Sequence, residues 1–215
     1  MIEASFNAIV SGIPYTIVLT LVSFMIGALL AVPITVIRMA PNAWARHLAH
    51  LFVDVLRSVP PITWLFLIYF GLPDLGVTLG AFTSALIGLS LISGAYLSET
   101  YRAGILAIAP GQWDACKALG FKPFDTAFYI VTPQALRVAV PPAGTYGIGL
   151  LKDTAVASTI GVSEVAFNAL QEAQRTGHAI QVLTLSGLTY LLLSLPLAYL
   201  SRNIDSRLRA RFSLG

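Results

Sequence analysis

Charge is what this sequence has least of: only 11% of its 215 residues are Asp, Glu, Lys or Arg, against about a quarter in an ordinary soluble domain. No polar stretch is long enough to hold a separate soluble domain, so residues 1–215 read as a single domain. The one cysteine, Cys116, excludes an internal disulfide, and no cluster of Cys or His stands with it to bind a metal. A Gly-x-x-x-x-Gly-Lys-Ser/Thr loop, whose backbone would cradle phosphates, is missing, so the chain has no ATPase site of its own. Also missing is a Gly-x-Ser-x-Gly turn, and the histidines fall in connections, which argues against a membrane-embedded hydrolase. There is no low-complexity tract, and no pair of related halves of the kind ion-coupled carriers show.

What is present is apolar. Hydrophobic residues make up 56% of the chain and the mean hydropathy is +0.78, which points to the lipid bilayer as solvent. A crossing helix needs about 20 apolar residues, and five segments supply them, at roughly 13–37, 58–73, 79–101, 134–156 and 179–200. The expected fold is an all-α integral membrane protein with five transmembrane helices. The first run contains Pro33 and no small-residue cleavage pattern follows it, so it reads as a retained helix. Pro60 and Pro61 near the start of the second span, and Pro141, Pro142, Gly144, Gly147 and Gly149 in the fourth, predict kinks or close helix contacts.

The basic residues set a direction. Arg38, Arg46 and Arg57 flank the first connection, Arg102, Lys117, Lys122 and Arg137 the third, and Arg202, Arg207, Arg209 and Arg211 follow the last span. Positive charge collects in cytoplasmic loops, so the N-terminus is expected outside and the C-terminus inside. This topology also accounts for the isoelectric point near 9.2; no basic stripe interleaved with exposed aromatics suggests nucleic acid.

The third connection carries the most specific signal. Gly111-Gln112-Trp113-Asp114-Ala115-Cys116-Lys117-Ala118-Leu119-Gly120 reads as a short helix with an acid in its first turn and Gly120 as its stop, and Ile130-Val131-Thr132-Pro133 follows after nine residues. A short helix of this kind suits docking into a groove. The segment resembles the cytoplasmic loop of bacterial ABC importer permeases: Glu-Ala-Ala, three residues, Gly, nine residues, Ile, one residue, Leu-Pro. The spacing is met in full, with Asp114 for Glu, Cys116 for the second Ala and Thr132 for Leu.

Four further stretches resemble the polar amino acid branch of that family: Gly12-Ile13-Pro14-Tyr15-Thr16-Ile17, Leu56-Arg57-Ser58-Val59-Pro60, Ala95 to Ile105, and Lys152-Asp153-Thr154-Ala155-Val156-Ala157-Ser158. The resemblance implies a subunit that forms the translocation pathway for polar amino acids or amino-acid-like solutes in a bacterial cytoplasmic (inner) membrane. It implies as partners a second permease subunit, identical or homologous, two cytoplasmic ATPases and an extracytoplasmic solute-binding protein. ATP and Mg would be used by the ATPases, with no cofactor on this chain. The residues Asp114, Ala115, Cys116, Lys117, Ala118, Leu119 and Gly120 would form the coupling helix that receives the ATPase motion. An ion-coupled carrier or channel would share the spans but have no use for this loop.

Ionisable groups at membrane depth are costly and face a partner or an aqueous path. Glu99 has Arg102 three residues on, on the same helical face, so a structural ion pair stands beside solute contact as its reading. Lys152 and Asp153 are adjacent and point about 100° apart, so at most one faces a path. At 1.5 Å per residue Asp153 lies roughly 18 Å beyond Pro141, a depth that suits a solute site. Thr154 and Ser158, four apart, either line the same face or satisfy carbonyls of their own helix. Glu164, Glu172, Arg175 and His178 fall in the connection before the last span, as solvated residues or as contacts for a delivering protein. His47 and His50 read as interfacial residues rather than metal ligands. Trp44, Trp64, Trp113 and Tyr69 read as interface or packing aromatics.

Overall fold

A computed structural model describes residues 2–210; of Arg207 and Arg209 only the helical backbone is described, and Arg211 lies outside the described residues. The described residues are helical throughout, without strands. A short helix α1 (Ile2–Val10) leads through a two-residue turn into α2 (Ile13–Arg38). Then come α3 (Ala43–Ser58) and α4 (Pro61–Phe66), the latter continued by a wide turn over Leu67–Gly71 and a tight one over Leu72–Leu75. Helix α5 (Ala81–Leu106) is followed by the short α6 (Pro110–Ala118). A three-residue turn α7 (Pro123–Asp125) and a wide turn over Thr126–Val131 open α8 (Thr132–Asp153), which tightens into a 3₁₀ run over Thr154–Ile160. Helices α9 (Val165–Thr176) and α10 (Ala179–Ala210) complete the chain.

Three helical stretches are long and apolar enough to cross a membrane: Ser5–Arg38, Ala81–Leu106 and Ala179–Ser206. The pair α3 and α4, bent by 101° across Val59 and Pro60, qualifies as a fourth when taken together. Helix α8, where the fourth span is expected, has 22 residues but a less apolar composition, since it holds Gln134, Arg137, Pro141, Pro142 and five glycines or threonines before Lys152. The second expected span begins earlier than the sequence suggests. Residues 43–57, expected in a cytoplasmic connection, form a helix started by Asn42, whose Oδ1 accepts from the Trp44 and Ala45 amides at 2.9 and 3.2 Å.

Helix α2 lies along α5, and the close approach needs a missing side chain. A Cβ on Gly27 would stand 2.3 Å from the Cβ of Ser93, so the two backbones meet at a distance only glycine permits. The central core gathers Leu19, Leu65, Ala85, Leu89 and Leu150, each at most 1% exposed, around this contact. A smaller core of Ile9, Val165, Ala169 and Val182 binds α1, α9 and α10.

The segment before the last span departs from the expected solvated loop. Glu164 is fully buried: one oxygen caps α9 by accepting from the Phe167 amide at 2.7 Å, and the other accepts from the Tyr190 hydroxyl. Burial pushes its carboxyl up, against the hydrogen bonds that favour the anion. Glu172 is also buried and ties α9 to α1. It accepts two bonds from Arg175, at 2.7 and 2.8 Å, and one from the Ser5 hydroxyl at 2.8 Å. Arg175 and Ser5 hold its carboxyl down at about 2.

A group whose pKa is lowered by folding contributes stability above its unfolded value and loses it as the proton returns. The α1–α9 contact is therefore expected to be intact above pH about 4.5 and to loosen as pH falls toward about 2. Thiol labelling of a cysteine placed at Ile9 in a Cys116→Ala background reports the opening; Glu172→Gln should raise labelling at neutral pH and remove its acid dependence. Labelling of the Gln variant that matches the parent at every pH counts against the latch.

Candidate functional site

The α6 loop presents an exposed surface on a buried footing. Pro110 starts the helix, so Asp114 lies in its second turn and not the first, where it pairs with Lys117 at 3.7 Å. Cys116 turns inward and is 4% exposed, while Trp113 packs with Ile108, Val131 and Ala135 at the root of α8. Ala115, Ala118 and Leu119 stay exposed, Leu119 at 75%. Gly120 has φ +73°, and the Phe121 and Gly120 amides close back on the Cys116 and Lys117 carbonyls, both at 3.0 Å. This is a helix stop that a β-carbon resists.

A second cluster ties α2, α3 and α5 together. Arg38, expected at a loop flank, is buried, with its side chain 2% exposed. It donates to Ser98 Oγ at 3.2 Å, to His50 Nδ1 and to Glu99, and Glu99 also pairs with Arg102. The His50 acceptor role places its proton on Nε2. Glu99 thus bridges two guanidiniums, one on each carboxylate oxygen.

A third cluster lies deeper. The Arg57 guanidinium stands 4.9 Å from the centroid of the Tyr96 ring, which stacks on Tyr146 at 5.1 Å and 17°. The Tyr146 hydroxyl and Ser93 Oγ are 3.0 Å apart. Tyr96 is fifteen residues after Ala81 and ten before Leu106, so it lies about 22 Å from one end of α5 and about 15 Å from the other. Asp153, half-buried, is seven residues beyond Tyr146, two turns along α8 or about 10 Å. Glu99 and Asp153 are on opposite sides of the Ser93–Tyr146 contact and do not meet.

Thr154 and Ser158 are not on one face, because Thr154–Ile160 winds with three residues per turn. Their hydroxyls donate to the Leu151 and Ala155 carbonyls at 2.8 and 2.6 Å. A groove of about 350 Å³ between α2, α8 and α10, lined by Phe24, Leu136, Val140, Gly144 and Leu197 among others, has no charged side chain and does not suit a polar solute.

Sequence reasoning missed Arg38, His50, Arg57, Tyr96 and Tyr146 as parts of sites. A signal for His50 and Arg57 was available in residues 43–58. At about 100° per residue, Arg46, His50, Val53 and Arg57 fall within about 60° of arc, and Trp44, Leu48, Leu51, Phe52 and Val55 take the opposite side.

An all-helical chain with three apolar stretches long enough to cross a membrane and an Arg38–Glu99 ion pair drawn among its helices defines a helical membrane protein. Residues 23–210 match the family described as "Binding-protein-dependent transport system inner membrane component", and the chain belongs to it. It is thus a permease subunit of an ABC importer and, as in that family, carries no ATPase site. The L-cystine transport system permease protein TcyB of Bacillus subtilis (strain 168) is 37% identical over 210 residues, covering 97% of this chain and 90% of the relative. The arginine transport system permease protein ArtQ of the same organism is 32% identical, covering 94% of this chain and 93% of the relative. Among solved structures, a chain of an amino acid ABC transporter crystallised with histidines superposes with a TM-score of 0.88 at 29% identity, covering 94% of both chains.

The inner cluster makes a direct prediction. Removing the negative charge of Glu99 leaves the buried Arg38 guanidinium without its counter-ion, which destabilises the junction of α2, α3 and α5. Glu99→Gln is expected to lower the thermal unfolding midpoint of the purified complex, and Arg38→Met to lower it less. Equal midpoints for Glu99→Gln and the parent would show that the pair carries no stability.

Proposed function

We propose that the chain is one of two permease subunits, identical or homologous, that together line a pathway for polar amino acids or amino-acid-like solutes across a bacterial cytoplasmic membrane. The observation that carries this reading is the polar column of Arg57, Tyr96, Tyr146 and Asp153 at membrane depth in an otherwise apolar member of the permease family. Residues 1–215 act as one permease domain with five crossings: α2, the bent α3–α4 pair, α5, α8 with its 3₁₀ extension, and α10. The N-terminus lies outside and the C-terminus in the cytoplasm, which puts α6 on the ATPase side. Arg175 and His178, both exposed, then face an extracytoplasmic binding protein.

Asp114 to Gly120 form the coupling helix, with Ala115, Ala118 and Leu119 as the face offered to a cytoplasmic ATPase that uses ATP and Mg. Asp153 is the solute-facing acid, and Thr154 and Ser158 shape the backbone beside it. Glu99 is assigned to holding the inner ends of α2 and α5 together rather than to the solute.

In proteoliposomes containing the whole complex, uptake of L-cystine, L-arginine or L-glutamine should require internal ATP and the binding protein, and persist when the membrane potential is collapsed. Gly120→Val should leave complex assembly and ATP hydrolysis in place while uptake falls at least tenfold, because a β-branched residue resists φ near +73°. Uptake driven by an ion gradient without ATP would replace this reading with an ion-coupled carrier. Full uptake by Gly120→Val would remove α6 from the coupling route alone.

Asp153→Asn keeps size and removes charge, and a charged hydrogen bond is worth about 1.5–3 kcal/mol. The expected result is a loss of about 10- to 100-fold in solute affinity of the assembled complex, measured by direct binding. Unchanged affinity in an assembled complex with intact basal ATP hydrolysis would make Asp153 a structural residue.

A further inference from the structure

Arg57 is a cation without a counter-ion among the described residues. The carboxylates of Glu99, Asp114 and Glu172 pair with Arg38, Arg102, Lys117 and Arg175. Asp54, one turn earlier on the same helix, is not within ion-pair distance of Arg57. The guanidinium is nevertheless at membrane depth: it covers Tyr96, near the middle of α5, and the neighbouring Leu56 packs against Ala95. On the other side of the break, Leu65 of α4 and Ile68 of the wide turn that continues it reach Gly88. The α3–α4 corner that carries Arg57 thus sits level with residues 88–96 of α5.

An uncompensated guanidinium at that depth costs several kcal/mol in hydrocarbon, so it does not face lipid. The two sides of α3 settle which way it faces. Its apolar side, Trp44, Leu48, Leu51, Phe52 and Val55, is 43–78% exposed. Its polar side holds His50 against Arg38 and Val53 in the protein core. This amphipathicity is inverted relative to a soluble helix, with the apolar side outward to lipid and Arg57 on the protein side. Arg57 is still solvent-exposed in the single subunit, as is Tyr96. An exposed cation on the protein side of a membrane helix faces the aqueous path.

Resting on the amino-acid reading above, we propose that Arg57 is the receptor for the solute's carboxylate, held in place by the face of Tyr96, with Tyr146 and Ser93 fixing that ring from behind. The chemistry fits. A guanidinium offers parallel N–H donors that match a carboxylate in bidentate geometry. A ring face within about 6 Å holds the cation without neutralising it, whereas an acidic side chain in that place would compete with the solute. Tyr146 is fixed in turn: its stack on Tyr96 and its bond to Ser93 join α8 to α5. The site is therefore built from three crossings and is selective for an anionic group, which complements an ammonium contact at Asp153, farther along α8.

The test uses the assembled complex in lipid nanodiscs without the binding protein, so that the permease alone discriminates. The probes are radiolabelled L-arginine, L-cystine and L-glutamine, competed with the decarboxylated analogues agmatine, cystamine and 4-aminobutanamide. The parent complex should prefer at least one amino acid over its decarboxylated analogue. Arg57→Gln should weaken binding of that amino acid by about 10- to 100-fold and leave the analogue within about threefold, which abolishes the preference.

Arg57→Lys should retain the preference at an affinity at least threefold lower, since a point charge replaces the planar fork. This variant decides the matter if the Gln variant fails to assemble, and parental affinity in Arg57→Lys would then overturn the proposal. Arg57→Gln binding that keeps the parental preference, or that weakens acid and amine equally, overturns it as well. A fall in subunit assembly with preference intact would assign Arg57 to a carboxylate of the second permease subunit and overturn the carboxylate role. If the parent complex in ATP-loaded proteoliposomes with the binding protein imports none of the three amino acids, the solute reading fails and the Arg57 role with it. If it imports them with Arg57→Gln unchanged, only the Arg57 role fails.

Discussion

Hydrocarbon cannot solvate a charge, and the arrangement of this chain follows from how each ionisable group escapes that cost. Arg38 is drawn among α2, α3 and α5 with its side chain 2% exposed, and it is tolerable there because Glu99, Ser98 and His50 surround it. Glu99 in turn holds Arg102 one turn below. Two cations around one anion leave a net positive charge, and Glu99 and Arg102, each 28% exposed, let water share it toward the C-terminal end of α5. Because the three helices meet at these side chains, the ion cluster fixes their relative depth. Packing adds what charge leaves unspecified: the Gly27–Ser93 approach sets how close α2 and α5 come.

The break between α3 and α4 follows from the same constraint. Pro60 and Pro61 cannot donate backbone hydrogen bonds, so a continuous helix across Val59 would leave carbonyls of α3 unpaired in lipid. The chain turns by 101° where it is covered by α5. The turn lets α3 present its polar side to the protein and its apolar side outward. The kink, the inverted amphipathicity and the mid-depth cation are therefore one feature seen at three levels.

Much of this is legible in the sequence. Apolar runs mark α2, α5 and α10, and the Asp114 to Gly120 segment forms the short helix its pattern suggests, with Gly120 in the left-handed conformation expected of its stop. The misreadings have physical causes. Residues 43–57 carry Arg46, His47, His50, Asp54 and Arg57, so their mean hydropathy hides a helix whose polarity is all on one side. Asp114 falls in the second turn because the helix starts at Pro110, one residue before the motif begins. Glu164 and Glu172 look like surface acids until the fold supplies Tyr190, Thr16, Ser5 and Arg175 from other segments. Thr154 and Ser158 change faces because α8 tightens after Asp153, a change of helix type that spacing alone does not encode.

The packing from α6 to the polar column runs through one element. Trp113 and Ile108 pack on Val131 and Ala135, so α6 rests on the root of α8. A Cβ on Gly104 would stand 2.5 Å from the Ala135 carbonyl oxygen, so α5 is locked to α8 at the same level. Above this joint α8 passes Pro141 and Pro142, where amide donors are missing and bending is easiest, and then carries Tyr146 and Asp153. The footing of α6 thus lies where α5 and α8 are clamped, and the two prolines lie beyond that joint. The part of α8 above them is joined to α5 through Tyr146, by its bond to Ser93 and its stack on Tyr96. Those polar contacts have alternative partners in water, whereas the glycine-backed packing below has none, so bending at the prolines alters the Tyr96–Tyr146 stack before it separates the helices. Because Tyr96 also holds Arg57, bending of α8 at the prolines and the position of the Arg57 guanidinium depend on the same pair of rings.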